Sequence, residues 1–352
     1  MRRPYYRRRD VNKRVHQQRV AVIGAGSWGT ALANHLAEGG HPVTLWARDA
    51  QLARRLASER ENAPYLPGAE LHPRVAPTGD VEAAARGIGV FISALPSHAV
   101  RTVWGLMAPL LPDAAILVSA TKGIEAGSLL TMSQVLQDTL PADRSIGVAV
   151  LSGPSFAHEV SNKAPTAVVA AARGRRLAED VQRMFSTPAF RVYTSTDAVG
   201  VELGGALKNV MALAAGVCDG LNLGANTRAA LVTRSLAEMT QLGVAMGARA
   251  QTFAGLSGLG DLVLTCTGQR SRNHGVGVQL GQGRKLPAIL SSMRMVAEGV
   301  TTAGSVVSLA VRHGVEMPIA EKVNALLQGH ISPHEAVMEL MTRTLKHEEP
   351  MP

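Results

Sequence analysis

The chain has 352 residues, 46% of them hydrophobic and 18% charged, a balance that excludes a disordered protein and is typical of two globular domains. Of its formal net charge of +9, most belongs to residues 1–19, where eight Lys or Arg residues stand against one acid, Asp10. The rest of the chain is nearly neutral, so we expect no nucleic-acid partner for the body of the protein.

Residues 1–18 form a basic extension without the apolar core of a secretory signal. A mitochondrial transit peptide would also be Arg-rich, but it would be Ser-rich and amphipathic as well, so we expect a disordered, solvated extension. Cys218 and Cys266 lack metal-ligand spacing and are expected to be reduced thiols of a cytoplasmic protein. There is no run of about 18 uncharged apolar residues, which argues against a membrane span.

The first structured motif is an apolar strand, Val20–Ile23, that runs into Gly24, Gly26 and Gly29. In this spacing the first glycine makes a tight turn, the second lets backbone approach a pyrophosphate, and the third lets helix and strand pack closely. Glycine triplets alone are a weak signal, but a helical stretch and a second strand, Val43–Trp46, follow at the right distance. The motif therefore predicts a dinucleotide site.

The remaining elements predict an α/β fold, a Rossmann-like, mostly parallel sheet domain followed by an all-α C-terminal domain. Apolar strand-like runs occupy 90–93, 115–118, 148–151 and 166–169, a helix is predicted at 51–60, and prolines between 64 and 77 indicate an irregular excursion. Helices are predicted at 198–217, 228–247, 302–313 and 318–329, and from a capping box at Ser332. The predicted domains are 19–197 and 198–342, with a polar tail at 343–352.

Polar residues directly after the strands are the first candidates for chemistry, because ligands of open parallel sheets lie beyond the carboxyl ends of the strands. Arg48 and Asp49 follow the second strand, where an acid suits the ribose 2′-hydroxyl of NAD and an arginine the 2′-phosphate of NADP. Arg48 is nearer the strand end, which favours NADP(H) over NAD(H). Lys122 follows a later strand and can meet an anionic substrate, although an ordinary surface lysine is the alternative.

Lys208 lies in a predicted helix whose continuation is apolar on every side. Burial would lower the pKa of this lysine toward neutrality, as a proton-transfer group requires, unless the side chain reaches solvent instead. Gly204, one turn earlier, is expected to clear room for a ligand. Asp261 follows a glycine-rich turn and is expected either to orient Lys208 or bind a substrate hydroxyl, or else to serve only as a helix N-cap.

A cluster of donors, Ser271, Arg272 and Asn273, follows ten residues later. The planar guanidinium matches a phosphate, and the neutral side chains add donors, although a solvated loop is the alternative. Glu298 is a candidate for a ribose or carboxamide contact. No metal site is predicted.

Together these motifs resemble bacterial-type NAD(P)-dependent glycerol-3-phosphate dehydrogenases over residues 20 to about 330. The matching segments are GAGSWGTALA, LWARD, SATKGIE, LSGPSFAHEV, VELGGALKNVMALAAG, GLGDLVLTCTGQRSRN and VAEG. The resemblance implies reversible NAD(P)H-dependent reduction of dihydroxyacetone phosphate to sn-glycerol 3-phosphate, which feeds glycerophospholipid synthesis. We also expect a homodimer, although nothing in the sequence reports the oligomeric state.

The resemblance also implies a role for each matching residue. Lys208 matches the general acid/base, with Asp261 beside it as the second catalytic residue. The implied cofactor contacts are Gly24, Gly26, Ser27, Trp28, Gly29, Arg48, Lys122, Ala157, Arg272, Val296 and Glu298. The implied substrate contacts are Lys122, Gly153, Ser155, Lys208, Asp261, Ser271, Arg272 and Asn273.

The chain departs from the family pattern in its basic extension, in an alanine at Ala297, and in His274-Gly275-Val276-Gly277, where an aromatic residue before the glycine is common. Two alternative functions stay open. A related reductase of another small acid, such as a β-hydroxyacid or ketopantoate, would carry a carboxylate clamp in place of the phosphate set. A nucleotide-sensing module whose basic extension touches nucleic acid would not need Lys208 and Asp261.

Overall fold

An eight-stranded sheet organises the first half of the chain, in the strand order β10-β9-β8-β7-β6-β1-β2-β5. The computed structural model describes residues 18–293, 295–345 and 347–348. The predicted extension at 1–18 therefore lies outside the described residues except for Gln18, and the predicted tail at 343–352 is described only in part. The strands are β1 Val20–Ile23, β2 Val43–Trp46, β3 Glu61–Asn62, β4 Leu66–Glu70, β5 Val75–Thr78, β6 Val90–Ser93, β7 Ala114–Ser119, β8 Ser145–Ser152, β9 Thr166–Ala171 and β10 Phe190–Ser195.

The sheet is parallel except between β8 and β9, which confirms the predicted mostly parallel, Rossmann-like architecture. Strand β1 lies between β2 and β6, with Val20 paired to Val43 on one side and Val90 on the other. Its four residues are fully buried, because helices cover both faces of such a sheet. The helices are α1 Ser27–Glu38, α2 Ala50–Glu59, α3 Val81–Ala85, α4 Val100–Met107, α5 Met132–Thr139, α6 Ala157–Ser161 and α7 Arg175–Phe185.

The irregular excursion predicted between residues 64 and 77 contains more structure than expected. Strands β3 and β4 pair as a small antiparallel hairpin, and β5 joins the sheet beside β2 despite Pro77. Because β5 is an edge strand, a proline costs it no essential ladder hydrogen bond. The prolines of this segment are the reason why the sequence did not predict the edge strand and the hairpin.

The second half of the chain is helical, as predicted, and ends in the expected capping box, in which Ser332 and Glu335 bond each other's backbone N–H groups. Its helices are α8 Ala198–Gly220, α9 Gly224–Ala245, α10 Ala250–Phe253, α11 Asp261–Thr267, α12 Arg272–Gly281, α13 Leu286–Ser291, α14 Glu298–His313, α15 Pro318–Leu327 and α16 Pro333–Met341. The four short helices from α10 to α13 were not predicted, because three of them have at most seven residues and glycines interrupt the apolar periodicity of α12.

The described chain divides into two units, one reaching Thr121 and including Met132–Val201, the other comprising Lys122–Thr131 and the chain from Glu202 onward. The sequence placed Lys122–Thr131 in the first domain. The segment clusters with the helical unit instead because Lys122 bonds Asp261 and the Thr131 hydroxyl donates to Glu202.

Helix α8 alone among the described helices is long and apolar enough to cross a membrane by length and composition. Every residue of its most apolar window is nevertheless buried inside the protein. The apolar character of α8 thus serves the core of the helical half of the chain.

Candidate functional site

The glycine loop between β1 and α1 has the backbone geometry that its spacing predicts. Gly24 adopts a φ of +118°, and a Cβ at this position would lie 2.5 Å from the Ala94 carbonyl oxygen. A Cβ at Gly29 would lie 1.8 Å from the Gly24 oxygen, so only glycine lets α1 start this close to the strand. A Cβ at Gly26, by contrast, would meet open space, which leaves room for a pyrophosphate beside the backbone.

The hairpin of β3 and β4 supports this loop, a function that the sequence reading missed. Asn62 is fully buried, and its Nδ2 donates to the Ala25 carbonyl oxygen at 2.9 Å and to the Thr30 hydroxyl at 2.7 Å. The Ser27 hydroxyl donates to the Tyr65 carbonyl oxygen at 2.6 Å. These bonds hold the loop and the first turn of α1 in place.

At the end of β2, the two candidates for the cofactor's ribose have different surroundings. The Asp49 carboxylate caps α2 by accepting from the Gln51 backbone N–H at 2.8 Å. The Arg48 side chain is exposed. Since Asp49 has a structural role, the geometry favours Arg48 as the residue that reaches a ligand.

The loop after β8 carries the other candidates of the first unit. Gly153 has a φ of +141°, and the Ser155 hydroxyl donates to the Gly153 carbonyl oxygen at 3.0 Å. Ala157 is the first residue of α6, and Trp28 packs partly buried against the core of the sheet unit. The roles of these four residues toward cofactor or substrate stay predictions.

In the helical unit, one buried carboxylate binds two lysines. Asp261 is 1% exposed, and its Oδ1 lies 2.6 Å from the Lys208 Nζ while its Oδ2 lies 2.5 Å from the Lys122 Nζ. Lys208 also donates to the Thr265 hydroxyl at 2.6 Å. The structure therefore brings together three of the predicted residues, from positions far apart in the chain, and places Lys208 inside the protein instead of at its surface.

Burial lowers the pKa of Lys208 from its ordinary value to about 8. The charge of Asp261 opposes this shift, and the positive charge of Lys122 adds to it. Desolvation is the largest cause because it disfavours the charged ammonium. A lysine with a pKa near neutrality can both give and take a proton, which is the property of a general acid/base.

The glycine-rich turn before Asp261 contains a π-helical stretch, Leu256–Gly260, that leads directly into α11. Asp261 is the first residue of α11 and not its N-cap, so the purely structural alternative for this residue does not hold. The expectation for Gly204 was wrong, because a Cβ there would lie 2.5 Å from the Ser257 carbonyl oxygen. Gly204 makes room for this turn, not for a ligand.

The predicted phosphate set lies in the first turn of α12. Ser271 is its N-cap and accepts from the His274 N–H. The Arg272 guanidinium donates to the Val296 carbonyl oxygen at 2.7 Å; partial burial lowers its pKa, and the charge of Glu298 opposes that shift. Four of the predicted residues thus meet at the N-termini of α12 and α14.

Asn273 joins this turn to the helix that carries Lys208. Its Nδ2 donates to the Asn209 Oδ1 at 2.9 Å, and its Oδ1 accepts from the Gly299 N–H at 2.8 Å. Asn209 and Thr265 were not singled out from the sequence. Thr265 could have been found by its position four residues after Asp261 on the same helix face, and Asn209 by its place next to Lys208.

Among the described residues, no group of three or more His, Cys, Asp or Glu side chains could hold a metal ion. Both cysteines are buried free thiols, and burial raises the pKa of Cys218 to about 11 and that of Cys266 to about 12. Neither thiol is therefore expected to ionise near neutral pH.

Both halves of the chain match models of one protein family. Residues 19–178 match the family model of the NAD-dependent glycerol-3-phosphate dehydrogenase N-terminus, and residues 197–338 match that of its C-terminus. Two similar proteins named glycerol-3-phosphate dehydrogenase [NAD(P)+] come from Citrifermentans bemidjiense and Geobacter sulfurreducens. They are 56% and 57% identical to this chain over 331 residues, which is 94% of this chain and 99% of each relative.

Among solved structures, the glycerol-3-phosphate dehydrogenase of Coxiella burnetii has a TM-score of 0.89 and 38% sequence identity, covering 93% of this chain and 99% of its own. The family models together span most of the chain, and the relatives match it nearly end to end. The chain therefore belongs to the NAD-dependent glycerol-3-phosphate dehydrogenase family.

Proposed function

We propose that the protein catalyses the reversible reduction of dihydroxyacetone phosphate to sn-glycerol 3-phosphate with NAD(P)H, and so supplies glycerophospholipid synthesis. The observation that carries this proposal is the buried Lys208, with a pKa lowered to about 8 and held by Asp261. Reduction of a ketone needs a proton donor at the developing alkoxide, and this ammonium is placed and tuned for that step. The names of the similar proteins support the choice of substrate.

The cofactor site fits the glycine loop, where Gly26 presents open backbone and Arg48 is exposed at the end of the neighbouring strand. Arg48 supports NADP(H) as the preferred cofactor, because its guanidinium suits a 2′-phosphate. When bound, the dinucleotide supplies or accepts a hydride at its nicotinamide. Further residues are assigned to its binding on the resemblance: Gly24, Ser27, Trp28, Gly29, Lys122, Ala157 and Arg272.

The protein's own residues supply the proton for the reduction and attract the anionic substrate. Lys208 holds a proton at Nζ and gives it to the carbonyl oxygen of the substrate in reduction, or takes it from the hydroxyl in oxidation. Asp261 keeps this Nζ in place by its 2.6 Å bond. Lys122 adds a second cation beside the carboxylate, which leaves the cluster with net positive charge and favours an anionic substrate.

The substrate phosphate is assigned to Ser271, Arg272 and Asn273, with Gly153 and Ser155 as further substrate contacts. Arg272 offers a planar fork of donors, and the N-terminus of α12 favours negative charge. Val296 and Glu298 are assigned to the cofactor on the resemblance alone. A phosphate set of this kind argues against a reductase of unphosphorylated acids.

The experiment that tests this function measures oxidation of NADPH and of NADH in the presence of dihydroxyacetone phosphate, dihydroxyacetone or ketopantoate. We expect turnover with the phosphorylated ketone alone, faster with NADPH. Lys208→Ala is expected to lower kcat by about 10²–10⁴-fold while NADPH still binds. Lys285→Ala, at an exposed lysine of the same unit, serves as the matched control. Near-normal turnover of Lys208→Ala, or equal rates with ketopantoate, would contradict the proposal.

Two further parts of the proposal concern the whole protein. We propose a homodimer, to be checked by light scattering of the purified protein. We also propose the cytoplasm as its location, which the two unpaired cysteines support.

A further inference from the structure

The helices that carry the general acid and the phosphate set meet through glycine. A Cβ at Gly216 of α8 would lie 2.1 Å from the His274 carbonyl oxygen, and one at Gly220 would lie 2.3 Å from the Val278 oxygen. On α12, a Cβ at Gly277 would lie 2.1 Å from the Leu213 oxygen. At these glycines the two helices therefore pack backbone against backbone.

Such a contact sets how close the two helices come, because the glycines let the two backbones approach each other. Two side-chain hydrogen bonds among the described residues also join α12 to α8. One is the bond from Asn273 to Asn209. The other involves His274, whose Nε2 lies 2.8 Å from the Oδ2 of Asp219 near the end of α8.

Asp219 also accepts hydrogen bonds from a residue on a third helix. The Nη1 of Arg228, on α9, lies 3.1 Å from Oδ1 and 2.9 Å from Oδ2 of this carboxylate. Because Asp219 can only accept, the facing nitrogen of His274 must carry a proton, in the neutral tautomer or the charged ring. The side chain of His274 is 14% exposed and that of Asp219 is 21% exposed, so water screens their bond only in part.

His274 belongs to the same helical turn as the phosphate set. Its backbone N–H donates to the Ser271 hydroxyl, and Arg272 and Asn273 directly precede it. A shift of this turn along α8 would therefore move all three predicted phosphate ligands relative to Lys208. The residue is also one that the motif of the family resemblance does not assign.

We propose that His274 is a positioning residue: with Asp219 and Arg228 it locks the first turn of α12 onto α8 and so sets the distance from the phosphate-binding residues to Lys208. This inference rests on the proposed function. The proposed role of His274 concerns substrate binding and not proton transfer. Loss of this side chain should therefore raise KM for dihydroxyacetone phosphate more than it lowers kcat.

The test compares His274→Phe, which keeps a ring but loses the donor, with His274→Gln, which keeps an N–H donor. We expect His274→Phe to raise KM for dihydroxyacetone phosphate about tenfold, with kcat and the Kd of NADPH changed less than about threefold. His274→Gln should recover most of the loss. The exposed His313→Phe is the matched control and should leave KM unchanged.

A double-mutant cycle separates positioning from general loss of structure. Asp219→Ala alone should also raise KM, and the double variant with His274→Phe should be no worse than the worse single variant, because both remove the same bond. Independent effects that multiply, or a KM of His274→Phe within twofold of the wild type, would overturn the proposal. If His274→Phe does not fold, Asp219→Ala carries the same expectation for KM.

An error in the proposed function can be distinguished from an error in the positioning role of His274, which we call the lock. If the wild-type protein does not reduce dihydroxyacetone phosphate, the proposed function fails. The lock is then tested by calorimetric binding of inorganic phosphate, which His274→Phe should weaken about tenfold and His274→Gln should not. Equal phosphate binding by the wild type and His274→Phe would overturn the lock by itself.

Discussion

Lys208 and Asp261 lie 53 positions apart in the chain, yet the lysine Nζ and the carboxylate Oδ1 are 2.6 Å apart in the interior of the helical unit. A buried ion pair of this kind gains little stability, because desolvation of both charges offsets much of their attraction. Here burial also lowers the pKa of Lys208 to about 8. The pair is therefore better explained by proton transfer than by stability.

The pH dependence of the two reaction directions should differ in sign. Reduction needs the protonated Lys208, so its rate should be highest below about pH 8 and fall as pH rises through the pKa. Oxidation needs the neutral amine, so its rate should rise through the same pH and then level off. Initial rates of both directions between about pH 6 and pH 10 check this.

The Lys285→Ala control should keep both profiles unchanged, since this exposed lysine lies elsewhere on the helical unit. Profiles that are flat near pH 8, or that change in the same sense in both directions, would show that Lys208 is not the titrating group.

A second buried acid should affect stability. Glu238 of α9 accepts from the backbone N–H groups of Ile319 and Ala320 at the start of α15, at 2.9 and 3.4 Å. Burial nevertheless raises its pKa to about 7, with the two hydrogen bonds opposing the shift. Between the unfolded value of 4.5 and about 7 the folded state binds more protons, so this group's contribution to stability falls as pH rises through that window.

Glu238→Gln keeps an oxygen for the Ile319 N–H and removes the titration. We expect the thermal unfolding midpoint of this variant to vary less between about pH 5 and pH 7 than that of the wild type. The difference corresponds to about 2 kcal/mol in the free energy of unfolding over this window. Differential scanning calorimetry measures this, with the exposed Glu159→Gln as control. An equal dependence on pH in the wild type and Glu238→Gln would refute the assignment.

The support of the glycine loop by Asn62 predicts an effect on cofactor binding. Asn62→Ala removes both bonds to the loop and its helix, and we expect it to raise the Kd of NADPH roughly tenfold, the cost of about one to two hydrogen bonds. Fluorescence titration with NADPH measures the Kd, and the exposed Asn162→Ala should leave it unchanged. A normal Kd for Asn62→Ala would mean that the loop holds its shape without the hairpin.

Local pattern predicts local structure in this chain. The strand before Gly24, the tight turn at that glycine and the capping box at Ser332 each depend on neighbours within a few residues, and each was predicted. Asn62 was missed because its partners lie 37 and 32 residues away, across a hairpin that prolines disguised. The features that were predicted depend on residues nearby in the chain, and the contacts that were missed join residues far apart in it.

The helical site was predicted only in part for the same reason. A lysine in an all-apolar helix signals burial, so Lys208 could be singled out from α8 alone. The shared carboxylate of Lys208 and Lys122 could not be foreseen, since Lys122 precedes Asp261 by 139 positions. The glycine at Gly204 was misread because the backbone that fills its space belongs to another segment.

Cofactor preference is expected to depend on Arg48. Its neighbour Asp49 is engaged as the N-cap of α2, so Arg48 is the side chain at this strand end that can meet a 2′-phosphate. Arg48→Ala should lower kcat/KM with NADPH at least about tenfold and leave that with NADH within about threefold, because the lost charge-assisted bond exists only with the phosphorylated ribose. Arg54→Ala, an exposed arginine on α2, is the matched control. If both cofactors lost activity equally in Arg48→Ala, the residue would act on the shared part of the dinucleotide and not on the 2′-phosphate.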